Sequence, residues 1–229
     1  MPPKQAPIVV VGDGEFAEIA CEYFTHDSPY EVAAFAVERA FRRRDRLFDR
    51  PVVDFEDVEA RFPPERFGAF VAVTFTQLNR VRARLFRAAV AKGYRPVSYV
   101  SSRAFVSPSA AVGANAFVFE HAVLQRHARA GDGVVLWSGS QVLHRAGVAD
   151  FCFLSAGAVV AGYSQVGECC FLGVNASVGD NVRVARDCVV GAGAVVTRDT
   201  EPGKVYKGER AAPGRVGSLE RFGAAREAG

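Results

Sequence analysis

No stretch of this chain is apolar for long. Its 229 residues contain no segment near the ~18–20 uninterrupted apolar positions that a spanning helix requires, so no membrane span is expected. The opening residues MPPKQAP lack the apolar region of a signal peptide, and a cytoplasmic location is expected. Excess charge is scarce as well: 28 Lys and Arg against 25 Asp and Glu leave +3, too little to argue for nucleic acid. The basic cluster Arg42, Arg43, Arg44 and Arg46 reads as a solvated loop, with a phosphate contact as the alternative. The five cysteines, Cys21, Cys152, Cys169, Cys170 and Cys188, form no Cys-x-x-Cys pair and have no ligand set beside them, so no metal site is expected.

What is present is a repeat. From Val106, every sixth residue to Val196 is aliphatic: eleven Val, four Leu and Ala130. The positions four residues after each, from Ala110 through Ala116, Ala122 and Ala128 to Thr200, are all small or β-branched. Two registers held over some ninety residues are the signature of a parallel β-helix of hexapeptides. Each hexapeptide supplies a short strand and a turn, and three make a triangular coil. The aliphatic residue fills the prism and the small one sits near a corner. Cys152, Cys170 and Cys188 are eighteen residues apart and stack on one corner, where a small side chain is required.

The first hundred residues alternate strand and helix and imply a small parallel sheet flanked by helices. Expected strands are Pro7–Val11, Val32–Val37, Val52–Val53, Phe70–Phe75 and Pro96–Val100. Expected helices are Phe16–Phe24 and a basic amphipathic Leu78–Lys92 ending at Gly93, with Asp54 as a candidate helix cap. Three segments follow: an α/β domain at 1–103, the β-helix at 104–201, and a tail at 202–229.

The loop after the first strand reads Gly12-Asp13-Gly14-Glu15-Phe16. Its glycines allow close approach of a ligand, and the following helix N-terminus favours phosphate. It is not a full dinucleotide fingerprint, and a tight turn that needs glycine explains it equally well. Glu38, just past the second strand, stands where such folds place an acid on a ribose. In the solenoid, one coil of eighteen residues sets Gly162 beside His144. An imidazole next to a glycine N–H suits acyl transfer, the ring as general base and the N–H as oxyanion donor.

These residues carry a family resemblance. The Gly12–Ala17 loop, Val142-Leu143-His144, Ala161-Gly162, Cys170–Asn175 and Val190–Val196 resemble the bacterial sugar acyltransferases that join a Rossmann-like domain to a left-handed β-helix. The bacillosamine-pathway N-acetyltransferase and the sialic acid O-acetyltransferase-like group are of this kind. The resemblance runs from Ile8 to about Pro213. It implies an acetyl-CoA-dependent homotrimer acting on a nucleotide-linked amino sugar in surface glycan biosynthesis, by direct transfer. Carried over by position, His144 is the base, Gly162 the oxyanion donor, and Val174 and Arg183 line the CoA channel. Gly14, Glu15, Phe16, Glu38 and Thr74 lie at the nucleotide-sugar end. N-transfer is favoured over O-transfer because the motifs match amino-sugar enzymes most closely.

Two positions depart from the family pattern. Arg145 follows the base where relatives commonly carry an acid, and Phe153 stands where many carry a second His. They motivate a competing reading, a non-catalytic trimeric module that holds a sugar nucleotide or a partner. A metal lyase of the carbonic-anhydrase type needs three converging histidines. His121, His127 and His144 are six and seventeen residues apart and share no column. In the tail, Lys204, Lys207 and Arg210 either neutralise CoA phosphates or cap the solenoid in solvent.

Overall fold

The computed structural model describes residues 6–224, so the outermost parts of the expected first and last segments, 1–5 and 225–229, lie outside the described residues. The chain begins with β1 (Ala6–Val11), α1 (Glu15–Asp27), β2 (Tyr30–Val37), β3 (Arg46–Leu47) and β4 (Arg50–Asp54). A 3-10 turn (Phe55–Asp57) and α2 (Val58–Arg61) lead to β5 (Gly68–Val71), α3 (Arg80–Ala91) and β6 (Arg95–Pro96). The sheet order is β3-β4-β2-β1-β5-β6, parallel except for the β3–β4 hairpin. The chain leaves β1 toward β2 on one side and returns to β5 on the other. The carboxyl ends of β1 and β5 therefore flank a topological switch point, where open α/β sheets bind ligands.

From Tyr99 the chain winds into a left-handed parallel β-helix of hexapeptide coils, the hand that the resemblance implies. Its three faces carry seven, six and five strands of two residues each. Along each face the register advances by eighteen residues per coil, as in Phe117↔Val135 and Val135↔Phe153. The aliphatic register points inward and is buried from Val118 to Val196, while Val106 and Val112 at the first coil are half-buried. The column of cysteines also packs in the core. Each thiol donates to the carbonyl of a residue thirteen to fifteen positions ahead: Cys152 to Gly167 (3.0 Å), Cys170 to Ala185 (3.1 Å) and Cys188 to Glu201 (3.1 Å).

A third register appears at the corners. Every sixth residue from Asn115 to Gly193 has positive φ, close to +60°. Only four of these are glycine; the rest include His121, His127, Arg145, Phe151, Tyr163 and Cys169. His121 and His127 are thus turn residues, a place His tolerates better than most side chains.

Some expected boundaries shift, for local reasons. The strand expected to reach Phe75 stops at Val71, and the helix expected from Leu78 starts at Arg80. Between them Gln77, Leu78 and Asn79 take φ of 51°, 48° and 67°, which no right-handed helix accommodates. The segment Pro96–Val100 splits: Arg95–Pro96 pairs with β5, and Tyr99–Val100 is the first rung of the prism. Asp54 occupies the N-cap position of the 3-10 turn but makes no cap bond; Arg39 and Arg42 take its carboxylate instead. At the far end, Val205–Tyr206 adds one more strand, paired with Val189–Val190.

The two halves share a core. Phe16 and Phe24 pack edge-on and Phe70 packs tilted against Phe117, whose ring stands on the outer surface of the first face. A polar clasp reinforces this contact. Arg82 of α3 is fully buried, and its guanidinium donates to Gly133 O (2.9 Å), Val73 O (3.0 Å), Thr74 O, Asn79 Oδ1 (2.9 Å), Phe151 O (3.2 Å) and Cys152 O (3.2 Å). Asn79 in turn donates to the carbonyls of Cys169 (3.3 Å) and Cys170 (3.2 Å). Burial pushes the Arg82 guanidinium down to about 10.

Candidate active site

A cleft of about 960 Å³ opens between the carboxyl ends of the parallel strands and the first face of the prism. One wall is Val11–Phe16, Val37, Glu38 and the loop Ala72–Gln77; the opposite wall includes Trp137, Phe153, Ser155, Ala156 and Val174. The two glycines of the first loop have different jobs. Gly12 has φ +119°, and a Cβ there would lie 2.8 Å from Ala72 O, so the turn itself demands glycine. Gly14 has φ −82°, open to any residue, and a Cβ there would meet nothing within 4 Å. Its bare Cα faces the cleft at the N-cap of α1, which has no side-chain cap, so the first helical N–H groups are available to an anion.

Glu15 lines the cleft and is exposed, whereas Phe16 packs inward against Phe117 (5.4 Å) and Trp137 (5.9 Å). Glu38 is held by a bidentate pair with Arg84 (2.7 and 2.8 Å). Hydrogen bonds from Arg84, outweighing burial, keep its carboxyl below the usual range. Thr74 is fixed through its carbonyl by Arg82. Phe153 lies in an aromatic wall, stacked on Phe171 (5.7 Å), with Phe75 edge-on to it (5.3 Å). It faces the cleft and not the corner that carries His144.

His144 sits on a different edge of the prism, at the corner between the second and third faces. Its exposed ring lies over Gly162: a Cβ there would be 2.5 Å from His144 Cε1 and 2.6 Å from Nε2. Tyr163 stands edge-on to the imidazole at 5.3 Å, and the His144 N–H donates to Gln125 Oε1 at 3.0 Å. Gly162 O accepts from Asn181 N (3.0 Å), but among the described residues the Gly162 N–H has no acceptor. Arg145 takes the left-handed turn position, φ 58°, and so leaves the column of His144.

One chain thus brings Gly14, Glu15, Phe16, Glu38, Thr74 and Val174 to the cleft, and His144 with Gly162 to a separate corner. Arg183, with its N–H on Asp199 Oδ1 (2.8 Å), is exposed on the third face, away from the cleft. Sequence reasoning did not identify Arg82, Asn79, Arg84 or the aromatic wall. Arg82 had a signal: it stands three and seven residues before the buried Leu85 and Ala89, in the apolar stripe of its helix. Among the described residues no group of His, Cys, Asp and Glu side chains could hold a metal ion, and no helix is long and apolar enough to cross a membrane.

Residues 163–198 match the family model for the bacterial transferase hexapeptide (six repeats). No curated protein matches the chain in sequence. Among solved structures, the chain is similar to the acetyltransferase domain of PglB from Neisseria gonorrhoeae FA1090, with a TM-score of 0.80 and 27% identity over 91% of this chain and 100% of that one. The same domain in complex with acetyl coenzyme A matches with a TM-score of 0.79 and 27% identity, over 91% and 99% of the two chains. A mutant perosamine N-acetyltransferase from Caulobacter crescentus, in complex with CoA and GDP-perosamine, matches with a TM-score of 0.80 and 28% identity over 89% and 94%. The resemblance to bacterial sugar acetyltransferases drawn from the motifs therefore holds in the fold.

Proposed function

We propose that this chain, an acyltransferase that resembles the bacterial sugar N-acetyltransferases, moves an acetyl group from acetyl-CoA to the amine of a nucleotide-linked sugar. The observation that carries this reading is the cleft. It opens at an uncapped helix N-terminus beside the bare Gly14, between a Rossmann-like sheet and the hexapeptide prism. It is roomy enough for a nucleotide sugar, and the α1 N-terminus suits the diphosphate. Glu38 accepts from the nucleoside end, and the Thr74 loop closes the opposite side.

His144 takes a proton from the acceptor amine as the nitrogen attacks the thioester carbonyl. The unpaired Gly162 N–H receives the oxyanion. Collapse restores the carbonyl as an amide and expels the CoA thiolate, to which the imidazolium returns the proton. No covalent enzyme intermediate is required. Val174, which is exposed at the cleft's edge, and Arg183 line the acyl donor's path, the guanidinium meeting its phosphates.

Because the cleft and His144 lie on different edges of one prism, the complete site takes His144 from a neighbouring copy. The homotrimer implied by the resemblance would supply that neighbour, and we place it in the cytoplasm, in surface glycan biosynthesis. The competing reading, a trimeric module without catalysis, is separated from this one by calorimetry: no detectable binding of CoA favours the module. The direct test is turnover with acetyl-CoA and a panel of nucleotide amino sugars, with His144→Ala in parallel. Wild-type activity in the mutant removes His144 as base, and no acetylation by the trimer with any acceptor removes the reading.

A further inference from the structure

The column that carries His144 holds one carboxylate. Steps of eighteen residues from Arg126 pass through His144 and Gly162 to Asp180. The missing side chain of Gly162 leaves a gap that both neighbours face. A Cβ built there would lie 2.6 Å from His144 Nε2 and 3.1 Å from Asp180 Oδ1. The carboxylate therefore stands within about 6 Å of the imidazole, the range in which an opposite charge favours the charged ring. The bond from Asn181 N to Gly162 O (3.0 Å) fixes the spacing of these two rungs. Among the described residues the Asp180 carboxylate makes no hydrogen bond or ion pair, so its charge is not spent elsewhere. The other groups around the ring are Arg126 one rung before it, Arg145 next in sequence and the Tyr163 ring at 5.3 Å. Both cations oppose the imidazolium that a general base must become.

We infer that Asp180 is the positioning residue of His144, stabilising its imidazolium across the gap left by Gly162. It supplies from two rungs away the negative charge that the resemblance places directly after the base and that Arg145 lacks. Gly162 then has a second duty besides its N–H: it keeps the path between ring and carboxylate clear. This inference rests on His144 being the base of the proposed acetyl transfer.

The test measures kcat, acceptor KM and the pH profile of kcat for the full-length protein and for Asp180→Asn, Asp180→Glu and His144→Ala. Asp180 is exposed and unbonded, so the thermal midpoint of Asp180→Asn is expected to match wild type. Its kcat is expected to fall about tenfold with acceptor KM unchanged. The acid limb of its profile moves to lower pH, because a ring without its anion sheds the proton sooner. Asp180→Glu recovers most of the loss. A wild-type kcat and profile in Asp180→Asn, with His144→Ala inactive, overturns the role of Asp180 and leaves the base intact. A fall in kcat with an unmoved acid limb and no recovery by Glu overturns it too. An active His144→Ala fails the underlying reading instead.

Discussion

Adding one methyl group at Gly162 separates the chemistry of this fold from its stability. Gly162 has no positive φ, so alanine brings no backbone strain there. Its Cβ would fall 2.5 Å from His144 Cε1 and 2.6 Å from Nε2, far inside contact distance, and something must move. What moves is the end of an exposed side chain. His144 is tethered by its backbone N–H to Gln125 and by an edge contact with Tyr163, neither of which locks the ring. Swinging it to another rotamer costs less than about 1 kcal/mol, which lowers the thermal midpoint by no more than roughly 2–4 °C. Displacement of a general base by an ångström costs about 10²-fold in rate. Gly162→Ala is therefore expected to fold almost as wild type and to lose about two orders of magnitude in kcat.

Gly167→Ala is the control. A Cβ at Gly167 would lie 2.6 Å from Arg186 N and 2.9 Å from Ala185 C, backbone atoms of the next coil that cannot rotate away. Overpacking of this kind costs about 1–3 kcal/mol, and the midpoint falls by roughly 2–12 °C. Gly167 touches neither His144 nor the cleft, so kcat per folded molecule stays at the wild-type value. Differential scanning calorimetry and initial rates on the same preparations decide the matter. A Gly162→Ala enzyme with wild-type kcat, or one destabilised as much as Gly167→Ala, refutes the reasoning.

Other perturbations follow from the same geometry. Gly14→Val adds bulk to the open space beside the α1 N-cap, so acceptor KM is expected to rise at least about tenfold while stability changes by less than ~0.5 kcal/mol; steady-state kinetics and urea unfolding check both. Arg82→Met leaves buried carbonyls of Val73, Gly133, Phe151 and Cys152 without their charged donor, and urea unfolding should show a loss of at least ~3 kcal/mol. Arg82→Lys does not rescue it, because one ammonium cannot span these acceptors. Burial, together with hydrogen bonds to Glu120 and Asp27 respectively, raises the phenols of Tyr23, to about 12, and Tyr99, further still. Their contribution is complete below the ordinary tyrosine range near 10 and is lost as pH rises through the raised values, so absorbance at the phenolate band should lag an unfolded control above about pH 10. For Asp27, burial acts upward, but hydrogen bonds from Tyr99, Ser102 and Ser101 outweigh it and hold the carboxyl low. Its contribution is present above the ordinary carboxylate range and disappears as pH falls through the lowered value, an acid transition that Asp27→Asn should remove from a urea-midpoint profile.

The prism was readable because its rule is local and strict. Val, Leu and small residues recur at fixed offsets, since a larger side chain at either offset would collide with the next coil. The third register, the left-handed corner, was hidden although it is just as regular. Backbone geometry, not side-chain size, defines it, and Asn175, Arg145, Phe151 and Cys169 all satisfy it. The same rule of eighteen placed Gly162 against His144 correctly, because stacking along one column needs only the coil length.

Relations across the fold carry no such period. That Glu38 is clamped by Arg84, that Phe153 belongs to the cleft, and that Arg82 ties a loop to two coils all depend on how α3 lies against the prism. α3 in turn is set by the left-handed turn at Gln77–Asn79, where no glycine announces it. The separation of His144 from the cleft has the same origin. The column assigns a residue to an edge of the triangle, but only the docking of the first sheet on the first face decides which edge is the cleft. The loops on the cleft side are tied down by Arg82 and Asn79, while the exposed His144 corner is held by its backbone bond to Gln125 and the edge of Tyr163, so the proposed reaction would need one edge from each of two copies.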